Sequence, residues 1–160
     1  MAFFNRVQFA FILLAAGLLS AGSALAAPED ASAPHAVRME PYNGAFVIPV
    51  ILNNVLSGKF IVDSGSADVS IPADVAAKLK QLGALTDADF LGQKLYMMAD
   101  GSKVPSDIYR IASLTIDGMV MQNVTVRIAA ERSELLLGQS FLSRLKSWSV
   151  DNTRQVMMFN

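Results

Sequence analysis

Residues 59–72 read Lys-Phe-Ile-Val-Asp-Ser-Gly-Ser-Ala-Asp-Val-Ser-Ile-Pro, an unbroken apolar run that ends abruptly on an acid. Phe60, Ile61 and Val62 have the aromatic and branched character of a strand buried on both faces, so Asp63 is delivered at the edge of a core. Ser64 and Gly65 then turn the chain sharply, the serine with a hydroxyl able to hold a turn and the glycine with room for a close backbone approach. Val69 and Ile71 alternate with Ser70, which predicts a short strand leaving the turn.

The rest of the chain supplies strands to cover this one. Residues 46–52 form an apolar strand in which Pro49, having no N–H to donate, implies an edge or a bulge. Residues 53–58 supply the turn into the strand that ends at Asp63. After Pro72, which suits a first helical turn, Val75, Leu79 and Leu82 recur at helical spacing, and Gly83 stands where a left-handed cap is wanted. Residues 84–93 have no clear period and read as a loop. Residues 94–98 and 103–109 flank Asp100-Gly101, a strong hairpin cue, and Asp117-Gly118 joins residues 111–116 to residues 119–128 in a second one. Leu135, Leu136 and Leu137 form another buried run closed by Gly138. Residues 139–146 predict a short helix with Phe141, Leu142 and Leu145 inward, and Trp148, Val150, Val156 and Phe159 belong to final strands around an Asp151-Asn152 turn. Many short strands and only one or two helices predict an all-β domain, a small closed or partly closed β-barrel.

The opening of the chain differs in composition. Arg6, an apolar stretch from Phe9 to Leu19, and small residues at Ala24 and Ala26 predict a signal peptide over residues 1–26. An uncleaved segment over residues 9–27 would instead anchor the chain in a membrane. Either places the remainder outside the inner membrane, periplasmic or exported. Residues 27–41, rich in Ala, Pro, Ser and charge, read as a linker, and residues 42–160 as one domain. His35, the single histidine, falls in that linker and is expected to be solvated. It supports neither a Ser-His catalytic pair nor a zinc site. The sequence holds 13 basic and 14 acidic residues, and removing a leader whose one charge is Arg6 leaves 12 basic residues, so no basic footprint for nucleic acid exists. With no cysteine, disulfides, thiolate metal sites and lipoprotein anchoring are excluded.

Asp-Ser-Gly alone is among the commonest ways to make a surface turn, and Leu-Leu-Leu-Gly fits any β-domain. Their order, with the Asp100-Gly101 hairpin between them, resembles the signature segments and flap of retropepsin-like aspartic proteases, the single-lobed relatives of pepsin, over residues 45–159. The resemblance implies one lobe of a small acid-protease barrel per chain and peptide hydrolysis without metal or cofactor. It implies catalytic roles for Asp63, Ser64 and Gly65, and substrate binding by Ser66, Asp68, Ala99, Asp100 and Gly101. One chain supplies one suitable aspartate, so it also implies a homodimer with an Asp63 from each copy acting on a peptide or protein substrate. Retroviral members carry an Arg after the Leu-Gly segment and an acid four positions after the catalytic Asp. Here those positions are Gln139 and Ala67, and losing both partners together strands no buried charge. Asp68 reads either as an exposed turn acid or as a substrate contact. Two alternatives to the protease stay open: a non-catalytic peptidase-fold module that binds peptide or a protein partner, and a generic export-pathway β-barrel.

Overall fold

The computed structural model describes residues 34–160 apart from Ala99. The expected signal or anchor and the start of the expected linker therefore lie outside the described residues, as does Ala99. Among the described residues no helix is long and apolar enough to cross a membrane.

The apolar run of the sequence is strand β4, Leu56–Val62, paired antiparallel with β3, Ala45–Leu52. Asn53 and Asn54 take left-handed φ values of 46° and 56° between them, the backbone that a tight hairpin needs to match strand twist. Pro49 lies where β3 is covered on one side only: β2, Glu40–Tyr42, pairs no further than Val47, and the other contact on that edge begins at Ile51. The missing N–H thus falls in a gap. Strand β5, Val69–Pro72, is buried throughout and leads into helix α1, Ala73–Gln81, which packs Ala76 and Leu79 inward and stops before Gly83 at φ 67°.

Strands β6, Phe90–Met97, and β7, Lys103–Ile116, form the hairpin around Asp100-Gly101. Strand β8, Met119–Ala129, returns along β7, and β9, Leu136–Leu137, enters between β4 and β5. Helix α2, Gln139–Leu142, follows. The sheet order is β2-β3-β4-β9-β5-β8-β7-β6, and a further pairing of Ile51 and Leu52 with Thr115 and Leu114 joins β3 to β7. Six strands thereby return on themselves around Ile48, Phe60, Ile71, Ile111, Leu137 and Phe141, all with essentially no exposed surface. A second sheet holds β1, His35–Arg38, then β11, Val156–Phe159, then β10, Trp148–Asp151. The domain is all-β with two short helices.

Four expectations are corrected. The linker does not extend to residue 41, because β1 and β2 are paired strands and Val37 and Met39 are core residues. His35 is not simply solvated: its ring stacks on Phe159, centroids 5.2 Å apart, and Nδ1 lies 3.1 Å from the Asp117 carbonyl oxygen. Residues 84–93 are not all loop. Asp87–Asp89 make a 3-10 turn, and β6 starts at Phe90, its period hidden by a bulge at Gly92. The second helix is also shorter than expected, one turn instead of residues 139–146.

Candidate active site

Two segments build the site. Strand β4 runs parallel to β9, with Ile61 opposite Leu136 and Val62 opposite Leu137, and the Asp63 N–H donates to the Leu137 carbonyl at 3.2 Å. Hydrophobic burial of the two runs thus fixes where the following turn begins. Asp63 itself is half-buried, while Ser64 and Gly65 are exposed. One carboxylate oxygen, Oδ1, accepts the Gly65 N–H at 2.9 Å, and the Ser66 N–H closes the turn on the Asp63 carbonyl at 3.2 Å. Oδ2 has no hydrogen-bond partner among the described residues. A carboxylate held at one oxygen by a backbone donor and open at the other can hold a water or share a proton with a second acid.

The chain at residues 138–140 braces this turn from behind. A Cβ on Gly138 would lie 2.8 Å from the Ser66 carbonyl oxygen and 2.6 Å from the Asp68 carbonyl carbon, so no larger residue fits. The Gln139 N–H donates to the Ser66 carbonyl at 2.8 Å, the Ser140 N–H to the Ala67 carbonyl at 3.0 Å, and Gln139 Nε2 to the Ser64 carbonyl at 2.8 Å. Gln139, which replaces the retroviral arginine, therefore supports the turn with a neutral hydrogen bond that needs no acid at Ala67. Ser140 Oγ accepts the Val69 N–H at 2.8 Å and donates to the Thr125 carbonyl at 2.7 Å, tying the loop to β8. The hydroxyl that holds the turn within the chain belongs to Ser66, which donates to the Asp68 carbonyl at 2.8 Å. Ser64 contributes its carbonyl to that bracing.

Asp68 is the correction at this site. It is not an exposed turn acid: the residue is 9% exposed, and its Oδ2 accepts from the Tyr96 hydroxyl and from Lys94 Nζ at 3.1 Å. Burial, then the bond to Asp68 and its charge, push the Tyr96 hydroxyl far above its usual range, so it stays protonated and donates. The Tyr96 ring carries Lys94 Nζ 5.0 Å and the Arg127 guanidinium 4.8 Å from its centroid.

At the hairpin tip, Asp100 and Gly101 are exposed. Gly101 has φ 83°, and its N–H donates to the Met98 carbonyl at 2.9 Å, while Asp100 Oδ1 accepts the Ser102 N–H at 2.9 Å. Bonds from Ser102 hold the Asp100 carboxyl below its usual range. Beside the hairpin a cleft of about 500 Å³ is lined by Met98, Val104, Ser106, Arg127, Ile128 and Ser133, among others; Asp63 is not on its wall. Asp63, Ser64, Gly65, Ser66 and Asp68 thus share one loop, Asp100 and Gly101 sit on the hairpin, and the side-chain bonds between loop and hairpin come from Lys94 and Tyr96. Sequence reading missed both, together with Ser140 and the bracing role of Gln139. The signal for Tyr96 and Lys94 was their two-residue spacing, one face of a strand in the hairpin arm. Among the described residues no cluster of His, Cys, Asp or Glu could hold a metal ion.

Comparison with known proteins gives two findings. The family model described as "gag-polyprotein putative aspartyl protease" matches residues 48–144, which include the Asp63 turn, the hairpin and Gly138. The fold is similar to the crystal structure of a retropepsin-like aspartic protease from Rickettsia conorii, with a TM-score of 0.58 and 25% identity over 80% of this chain and 90% of that one. No curated protein sequence matches the chain.

Proposed function

This chain belongs to the retropepsin-like aspartyl protease family, and from that premise we propose that it is an aspartic endopeptidase whose dyad is one Asp63 from each of two copies. The observation that carries the reading is the Asp63 carboxylate itself, presented at the end of strand β4 with Oδ1 on a backbone N–H and Oδ2 open. Two such groups about 3 Å apart cannot both ionise, so they share one proton. The ionised carboxylate takes a proton from water as the oxygen attacks the scissile carbonyl carbon. The protonated one donates to the carbonyl oxygen as the tetrahedral intermediate forms. Its collapse breaks the C–N bond as the carboxyl that took the water proton passes it to the departing amine and the other carboxylate recovers its proton from a diol hydroxyl, which restores the shared-proton pair. A two-fold axis brings the same turn from both copies together, with the exposed Ser64 of each next to the axis.

The hairpin around Asp100 and Gly101 is then the flap that closes over an extended peptide and excludes water. Gly65 gives the substrate backbone room, Ser66 and Asp68 shape the wall beside it, and the leader in residues 1–26 delivers the domain outside the inner membrane. A reporter fused after Phe159 tests the last point: activity confined to the cytoplasm would overturn export.

Asp63→Asn tests the chemistry. The substitution keeps the size and the Gly65 hydrogen bond but leaves no ionised base in either copy. Cleavage of a peptide library should vanish while folding and self-association survive. A variant that cleaves as fast as the wild type makes Asp63 a turn residue only.

A further inference from the structure

The geometry points to Asp68 as a positioning residue, one that fixes the β6–β7 hairpin relative to the Asp63 turn by holding Tyr96 and Lys94. The inference rests on the protease reading for its consequence and on contacts alone for its premise.

Strand β6 is the outermost strand of its sheet, hydrogen-bonded along one edge to β7. Leu95 and Met97, which alternate with Tyr96, are 59% and 73% exposed, so nothing among the described residues covers that face. The tip bonds to itself through Met98, Asp100, Gly101 and Ser102. An arm with one neighbouring strand and a bare face needs a tie on its other face to have a defined position. Tyr96 supplies it. Its hydroxyl reaches the buried Asp68 carboxylate, and its ring is covered by the Lys94 ammonium and by the Arg127 guanidinium from β8. Arg127 also approaches Met98 Sδ at 3.9 Å, nearer the tip.

At the other end of the tie, Asp68 belongs to the loop that carries Asp63. Its carbonyl accepts the Ser66 hydroxyl, and the backbone there packs against Gly138 with no space to spare. A displacement of Tyr96 is therefore transmitted to a segment that cannot yield, and the hairpin stands at a height set by the Tyr96 hydroxyl and the Lys94 ammonium on one carboxylate. In a working protease that height fixes how an extended peptide is held against the dyad, so losing the bond weakens substrate capture more than it slows the bond-breaking step.

The test compares the full chain with Tyr96→Phe, Asp68→Asn and the double variant by amide hydrogen exchange. Tyr96→Phe keeps the ring and its two cations and removes only the donor. Exchange across residues 94–98 should rise about tenfold, the size expected for one hydrogen bond to a charged acceptor in a local opening, while β3 and β4 stay unchanged. The double variant should exceed the larger single effect little, since both changes cut the same tie. In cleavage, Tyr96→Phe should raise KM several-fold with a smaller change in kcat. Unchanged exchange at residues 94–98, an equal rise across the whole domain, or additive effects in the double variant each overturn the inference. A wild type that cleaves no peptide defeats the protease reading but leaves the exchange result intact, so the two failures are distinguishable.

Discussion

Asp63 and Asp68 stand on one loop, five residues apart, each with hydrogen bonds on one carboxylate oxygen, and they differ in burial and in the donors they hold. Asp63 is half-buried, with one backbone N–H on one oxygen. Asp68 is buried and takes a hydroxyl and an ammonium on the same oxygen, with a second cation stacked on the tyrosine behind it. A buried carboxylate that holds a hydroxyl and an ammonium on one oxygen is useful as an anchor. A sparsely partnered one keeps a lone pair for water or a shared proton. The difference teaches that partner count assigns the two roles, where residue type alone does not.

Substituting both acids separately breaks or sharpens that contrast most. Asp63→Asn should lower cleavage by more than the roughly 10²- to 10⁴-fold given by one general acid–base group, because a single codon changes both members of the pair. Asp68→Asn should retain measurable cleavage, with its main effect on KM. Equal losses in the two variants would erase the distinction between catalytic and anchoring acid.

Next in size are the glycines that accompany the two acids. Gly138→Ala places a methyl against the Asp68 and Ser66 backbone, which cannot move aside, and should destabilise the domain by about 3 kcal/mol or more in urea unfolding. Gly65→Ala meets only Asp63 Oδ1 at 3.3 Å, so stability should change little while activity falls. If the order of the two stability losses is reversed, the wall behind Asp68 is softer than its packing indicates.

Gln139→Leu removes one neutral hydrogen bond from the Ser64 carbonyl and should cost about 1 kcal/mol, with a several-fold loss of activity. Smallest is Asp100→Asn. The folded hairpin holds the Asp100 carboxyl below its usual range through Ser102, so its contribution is present above that range and is lost as pH falls through the folded pKa. The variant should flatten this acid-side change at the tip, read by NMR, because it lacks the ionised form at every pH: the two chains should differ above that range and converge below it.

Much of this was legible in the sequence for a physical reason. The runs ending at Asp63 and Gly138 each put one residue, Phe60 and Leu137, fully in the core with half-buried neighbours beside it, and such strands are readable as continuous apolar segments. Asp100-Gly101 and Asp117-Gly118 fixed two hairpins by backbone conformation alone, and both second residues have positive φ. What stayed hidden depended on contacts between distant segments. Asp68 looked like a turn acid because Tyr96 and Lys94, which bury it, lie on another strand. Gln139 looked like a loss because only the fold shows its side chain reaching Ser64. His35 through Met39 alternate correctly for a strand, but five residues beside an Ala-Pro-Ser stretch are too few to separate from it without β11 opposite.

The central claim, that one chain holds half of a catalytic dyad, is tested most directly by following specific activity and sedimentation together across a dilution series. Specific activity should fall in step with the dimer fraction, and mixing wild type with excess Asp63→Asn chain should lower it further as mixed dimers form. Undiminished cleavage at dilutions where the chain sediments as a monomer would contradict the account, because a single Asp63 would then be sufficient.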